Sequence, residues 1–177
     1  VCSSDLASVE LTVNLRPSFV HVGIHNLPAA RAGEVLGYAA HPAALTGWLG
    51  QFPNVLVVLN HPLWDEAGIG AAAHRAMVER FLARNEGDIH ALELNGLRPW
   101  AENERVMRMA AAWGLPVISG GDRHGVEPNA NINVSNAESF DGFVEEVRYK
   151  KESQVVFLPQ YRRPLAARIA SNVVDIL

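Results

Sequence analysis

The chain has 177 residues, 49% hydrophobic and 19% charged, which is the composition of one globular domain with a buried core. Its formal net charge of −4 leaves no broad basic surface, so nucleic acid is not an expected partner. The longest strongly apolar run, residues 55–59, is far too short to cross a bilayer, so we expect no membrane partner either.

The first six residues differ from the rest of the chain. Residues 1–6 (VCSSDL) match the translation of a common sequencing-adapter end, and no start methionine precedes the strand pattern that follows. We interpret 1–6 as a non-native tail, rather than an ordinary polar terminus, and 7–177 as the C-terminal portion of one domain. Cys2 is the sole cysteine, so a metal would be held by His, Asp and Glu, and a cytoplasmic protein is favoured.

Strand and helix patterns alternate along the remaining sequence. Residues 8–15 alternate apolar and polar side chains, and 19–24 is a second β-prone segment after a short turn. Further strands are predicted at 54–60, 89–94, 115–119 and 155–158. Helices are predicted from Pro28, at 42–52, 70–85 and 101–113, from a cap at Ser135 or Asn136 to 149, and at 164–176. This alternation predicts an α/β fold with a parallel sheet.

Polar side chains collect at the ends of three successive predicted strands. They are His61, then Glu93 with Asn95, then Asp122 with His124. Because the carboxyl ends of parallel strands meet at one edge of a sheet, we expect these side chains to share a site there.

Asp122 and His124 flank Arg123 in a loop that opens with two glycines. A carboxylate and an imidazole two residues apart on such a loop can hold a hard or borderline divalent metal. The glycines allow the backbone to approach an ion or phosphate closely. The spacing also fits a turn-capping aspartate beside an exposed histidine, and both interpretations stay open from the residues alone.

His61 lies at the end of an almost wholly apolar strand, with Pro62 after it. An imidazole in this place can serve as a neutral nitrogen ligand, with Asn60 or a backbone carbonyl fixing its tautomer. The alternative is a hydrogen-bonded core histidine.

Glu10 and His21 belong to the first two predicted strands. Glu10 is out of phase with its apolar neighbours, so it faces either solvent or the interior of a barrel, where it would need a cation. His21 is placed similarly, and His25 would share its face if the strand continued past Gly23. His21 is the preferred ligand of the two.

The candidate ligands, taken in chain order, resemble the later motifs of the polymerase and histidinol phosphatase (PHP) family: Glu10, His21, His61, Asp122 and His124. The resemblance rests on the segments 8–12 (SVELT), 20–23 (VHVG), 59–62 (LNHP) and 119–124 (SGGDRH). It spans residues 8–125 and, more loosely, the sequence beyond.

This resemblance implies a distorted (β/α)7 barrel, here incomplete at its N-terminus. Two or three divalent ions, of zinc, manganese or iron, would lie at the C-terminal mouth of the barrel. The ions would clamp the phosphate of a small phosphorylated substrate and activate a water for attack on phosphorus. The resemblance therefore implies a metal-dependent phosphoesterase.

The resemblance also implies a role for each residue. Glu10 would bridge two ions, and His21 and His61 would bind one of them. Asp122 would bind another ion, and His124 would bind a third, or the same one if only two are present. Both would act in catalysis through the bound metal.

Three further residues are implied at the substrate pocket: Glu93, Asn95 and Arg123. Arg123 would meet the substrate phosphate, with an ordinary surface arginine as the alternative. Away from these motifs, the segment 98–100 (RPW) is predicted to shape a pocket rim, and 161–163 (YRR) is interpreted as a solvated charge cluster.

The sequence departs from the family pattern at its beginning. PHP proteins open with a His-x-His strand, and no histidine precedes Glu10 here. We therefore expect this chain to be inactive by itself and its full-length form to be an enzyme.

Two other functions stay open. A metal hydrolase of the amidohydrolase type shares the barrel and ligand types but uses a carboxylated lysine on a strand, whereas Lys150 and Lys151 are the only lysines and lie late in the chain. A PHP-like domain that has lost catalysis would serve as a scaffold or binding module.

Overall fold

A computed structural model of the chain describes residues 6–38, 41–120, 130–168 and 170. The strands in these ranges are β1 (Leu6–Asn14), β2 (Phe19–Pro28), β3 (Leu56–Asn60), β4 (Ala91–Asn95), β5 (Val117–Gly120), β6 (Asn131–Val134) and β7 (Gln154–Phe157). The α-helices are α1 (Ala32–Val35), α2 (Pro42–Leu49), α3 (Ala71–Arg84), α4 (Trp100–Ala112) and α5 (Phe140–Glu145). A π-helix (Glu146–Lys150) continues α5, and short 3₁₀ turns occupy Ala29–Arg31, Leu36–Tyr38 and Pro159–Arg162.

The main sheet has five strands in the order β1-β2-β3-β4-β5, and β6 pairs with β7 in a separate antiparallel ribbon. The neighbours β1 and β2, and β2 and β3, are antiparallel, whereas β3, β4 and β5 are parallel. The prediction of a parallel sheet is therefore correct only for β3 to β5. The four-residue turn after β1 forces an antiparallel hairpin, since parallel neighbours need a long crossover connection.

The α/β class is confirmed, with helices and a mixed sheet in one chain. The described strands form an open sheet, and no pairing among them closes it into the predicted seven-stranded barrel. In the same ranges, no helix has the length and hydropathy that a bilayer span requires.

The two faces of the main sheet differ in character. One face is covered by helices α1 to α4, and its core includes Leu59 and Leu92 from the strands and Phe81 from α3. The other face is apolar only at one end, where side chains of the strands pack against the α5 and π-helix segment: Leu56, Val58, Ala91 and Ile118 against Val144 and Val147. Its opposite end carries polar side chains, which the strand register brings side by side: Glu10, His21, Asn60 and Glu93.

The last third of the chain departs most from the predicted elements. Strand β6 was not predicted, and α5 begins at Phe140, where the Ser139 hydroxyl accepts the Gly142 N–H at 3.1 Å. The predicted caps at Ser135 and Asn136 are therefore wrong. Of the predicted helix at 164–176, residues 165–168 and 170 are helical and the rest lies outside the described residues.

Candidate metal centre

Three of the predicted ligands come together at the polar end of the sheet. Glu10, His21 and His61 each offer one ligand atom, and these atoms all lie within 4.8 Å of one another. The Nδ1 of His21 is 3.2 Å from the Nε2 of His61 and 3.6 Å from Oε1 of Glu10. Two ligand atoms about 2.1 Å from a tetrahedral ion are about 3.4 Å apart. The spacing therefore fits a single divalent ion between the three side chains.

The strand register places Glu10 and His21 on one face. Glu10 is paired with Gly23 across the hairpin, and His21 is paired with Asn60 of β3. A Cβ atom at Gly23 would lie 2.8 Å from both Asn60 Oδ1 and His25 Nε2, so glycine keeps this part of the face open. Asn60 Nδ2 donates a hydrogen bond to Glu10 Oε2 and so orients the carboxylate towards the histidines.

The backbone of His61 is strained. Its φ of 27° lies in the left-handed region, which costs a residue other than glycine roughly 1–3 kcal/mol. Two hydrogen bonds fix the residue: its N–H donates to Glu93 Oε2 at 2.6 Å, and its carbonyl accepts from the Trp64 N–H at 2.9 Å. The strained turn ends β3 abruptly and brings the imidazole ring back to His21, with the two ring centroids 4.9 Å apart.

His74 of α3 supports this turn from behind. It is 2% exposed, and its Nε2 donates to the Pro62 carbonyl at 3.2 Å while its Nδ1 accepts from the Ser18 hydroxyl at 3.3 Å. No role was predicted for His74. His74 precedes the buried Met77 by three residues, so the helical spacing indicates that both lie on the inward face of α3. Its hydrogen-bond partners are distant in sequence and could not be predicted from this spacing.

Glu66 is a second carboxylate beside His21 that the sequence motifs did not indicate. Its Oε1 lies 3.8 Å from His21 Nδ1, and its side chain is 27% exposed. In the sequence, Glu66 is recognisable only as an acidic residue in the loop that follows His61. Glu10 and Glu66 therefore both lie beside the His21 ring, and two neighbouring carboxylates favour a bound cation.

Glu93 and Asn95 lie inside the protein, at 6% and 1% exposure. A Cβ at Gly120 would overlap the Glu93 carboxylate, so β5 approaches β4 closely at this point. Asn95 Oδ1 accepts the Leu97 N–H at 2.8 Å and shapes the loop after β4. A direct role of either residue in binding substrate stays a prediction.

The remaining candidates divide into two groups. Asp122, Arg123 and His124 lie outside the described residues.

His25 shares the face of His21, because β2 continues through Gly23, and its Nδ1 lies 3.1 Å from the Ser8 hydroxyl. Burial lowers the pKa of His25, which keeps the imidazole neutral, but the residue is not part of the three-ligand group.

Comparisons with protein-family models, with curated proteins and with solved structures find no match. The fold and the site therefore define the class of the protein by themselves. It is an α/β protein with a candidate metal centre at one end of a mixed sheet.

Proposed function

We propose that the protein is a metal-dependent phosphoesterase that acts on a small phosphorylated substrate. The convergence of Glu10, His21 and His61 within 4.8 Å carries this proposal, because the PHP resemblance implies these residues as partners at one metal site. Asp122 and His124 would complete the ligand set. They follow in sequence from Gly120, which packs against Glu93, the carboxylate that holds the His61 backbone.

The residues fit a divalent ion in number, type and spacing. Two imidazole nitrogens and a carboxylate suit zinc, manganese or iron. Such an ion, when bound, supplies positive charge to the phosphate oxygens and lowers the pKa of a water ligand. Glu10, His21 and His61 would hold this ion. Asn60 orients Glu10, and Glu93 fixes the strained turn at His61.

The proposed reaction is hydrolysis of a phosphate ester. A bond forms between phosphorus and a water oxygen, and the bond between phosphorus and the ester oxygen breaks. One water proton goes to the departing alcohol oxygen and the other stays with the released phosphate. Lys150 and Lys151 lie at the end of the π-helix, so no observation favours the carboxylated lysine of an amidohydrolase-type site.

Metal binding to this chain tests the site directly. We expect zinc or manganese, titrated calorimetrically into metal-free protein, to bind at least tenfold more weakly to the Glu10→Gln, His61→Asn double variant. The matched control is Glu104→Gln, His41→Asn, which removes the same groups from exposed positions and should bind as the parent does. Equal affinity in all three proteins would overturn the assignment.

Turnover is tested on this chain and on the longest form of the protein that its gene encodes. We expect hydrolysis of a generic phosphate ester, and a loss of both metal content and rate in the Asp122→Ala, His124→Ala double variant. Equal metal content and equal rate would overturn the role of these two residues, and metal binding without any turnover would indicate a binding module.

A further inference from the structure

A groove of about 940 Å³ lies between the start of α4 and the segment after β7. This volume is within the range of small-molecule binding pockets. The segment 98–100, predicted to shape a pocket rim, lines the groove. Residues 161–163, which were interpreted as solvated charges, line it too.

Three aromatic side chains form one wall of the groove. The ring of Trp100 lies 5.2 Å from that of Phe157, and the ring of Phe157 lies 4.6 Å from that of Tyr161, measured between centroids. Trp100 is nonetheless 52% exposed. An exposed tryptophan in an aromatic cluster presents a planar apolar surface on which a flat ring can stack.

The charged side chains of the groove are all arginines. Arg98, Arg162, Arg163 and Arg168 line it, and no acidic residue is among its described lining residues, although the whole chain carries a net charge of −4. Arg98 is neutralised by a two-pronged ion pair with Glu102, at 2.8 and 2.9 Å. Arg162 and Arg163 are exposed, so they supply the positive charge that faces a ligand.

Two side-chain contacts link the groove to the candidate metal centre. The guanidinium carbon of Arg98 lies 4.7 Å from the centre of the Trp64 ring, and the Trp64 ring lies 5.0 Å from the ring of His61. Only these two side-chain contacts separate a groove residue from a candidate metal ligand.

We propose that this groove binds the alcohol part of the substrate, and that this part carries a planar aromatic ring and a negative charge of its own. The inference rests on the proposed phosphoesterase function, since it assigns the groove to the portion of the ester that leaves phosphorus. The ring stacks beside Trp100, and the added charge pairs with Arg162 and Arg163.

The probe for the groove is 6-hydroxynaphthalene-2-sulfonate, which has the ring and the charge but no phosphate. We measure its binding calorimetrically in metal-free protein, beside 2-naphthol, which lacks the charge, and propane-1-sulfonate, which lacks the ring. The probe is expected to bind at least tenfold more tightly than either comparison compound. Equal affinity for all three compounds would overturn the inference.

Substitutions in the groove distinguish binding of the probe there from general electrostatic attraction to the protein. Arg162→Gln, Arg163→Gln should weaken binding of the probe at least tenfold, and Trp100→Ala should do the same. The matched control Arg80→Gln, Arg84→Gln removes two exposed arginines from α3 and should leave binding unchanged. Equal weakening in both arginine pairs would overturn the inference.

Metal titration of the same preparations distinguishes the two proposals. A protein that binds zinc through Glu10 and His61 but shows no preference for the probe disproves only the groove assignment. A protein that prefers the probe but binds no metal disproves the phosphoesterase proposal. The groove would then be a binding site for aromatic anions with no metal centre beside it.

Discussion

At the scale of single residues, the candidate centre depends on groups that are not ligands. His61 reaches His21 only because its backbone is held at φ 27°, and the Glu93 carboxylate stabilises that conformation by accepting its N–H. Glu93 has room for this bond because Gly120 lacks a side chain. Strain at a site persists where the surroundings determine the conformation, as they do here.

Another buried histidine, His90, contributes to the response of the fold to acid. His90 is 4% exposed, and its Nδ1 accepts the Val57 N–H at 2.9 Å. Burial, and then the positive charges of Arg148 and Lys151, lower the pKa of His90 from 6.5 to about 3. Between these two values the unfolded chain takes up a proton that the folded chain does not, so stability falls as pH falls through this window, by up to about 1.4 kcal/mol per pH unit.

We therefore expect His90→Asn, which keeps an acceptor near the Val57 N–H but cannot titrate, to have a flatter stability profile than the parent. Urea unfolding at pH 7, 6 and 5 measures the free energy of unfolding for each protein. His41→Asn, at an exposed histidine, should follow the parent profile. Parallel profiles for the parent and His90→Asn would contradict the assignment of the acid response to this residue.

At the scale of elements, the sequence predicts best where the hydrophobic pattern is long or strong. Strand β3 and helices α3 and α4 match their predicted ranges closely, because an apolar strand and two amphipathic helices leave few alternatives. Strand β6 was missed because it is four residues long and half of it is asparagine. Its two asparagine side chains bond to the main sheet. Asn131 Nδ2 donates to the Leu94 carbonyl of β4, and Asn133 Oδ1 accepts the Ser119 N–H of β5.

The candidate site was predictable in part for a related reason. The alternation of side chains places Glu10 and His21 on one face, and the strand-end rule places His61 at its edge. Glu66 and His74 were not predictable, because their approach depends on the path of a loop and on the docking of α3. Such contacts are set by tertiary packing, which leaves no periodic pattern in the sequence.

Two alanine variants test where helix α5 begins. Ser139→Ala removes the hydroxyl that accepts the Gly142 N–H, and the loss of such a cap costs about 1 kcal/mol. Asn136→Ala, at an exposed position that the sequence predicted as an alternative cap, should change stability by only a few tenths of a kcal/mol. Urea unfolding of both variants measures the difference, and a larger loss in Asn136→Ala would place the helix start where the sequence predicted it.

At the scale of the whole molecule, the candidate centre draws its ligands from three successive segments of the main sheet. Its ligands come from β1, from β2 and from the turn after β3, and β1 is an edge strand of the described sheet. One face of β1 is anchored by the buried Leu11 and Val13, while Glu10 on its other face is 43% exposed. An ion held by all three ligands would fasten this edge strand to the interior of the sheet.

Metal should therefore stabilise the folded chain as a whole. The three ligands converge only in the folded state, so zinc at 100 times its dissociation constant should raise the free energy of unfolding by about 2.7 kcal/mol. Urea unfolding with and without zinc measures this rise, and a chelator should reverse it. Glu10→Gln removes the ligand on β1 and should lose most of the effect, whereas Glu104→Gln, on the exposed face of α4, should keep it. An equal rise in both variants would mean that zinc binds the fold elsewhere, and β1 would then be held by its hairpin pairing and apolar face alone.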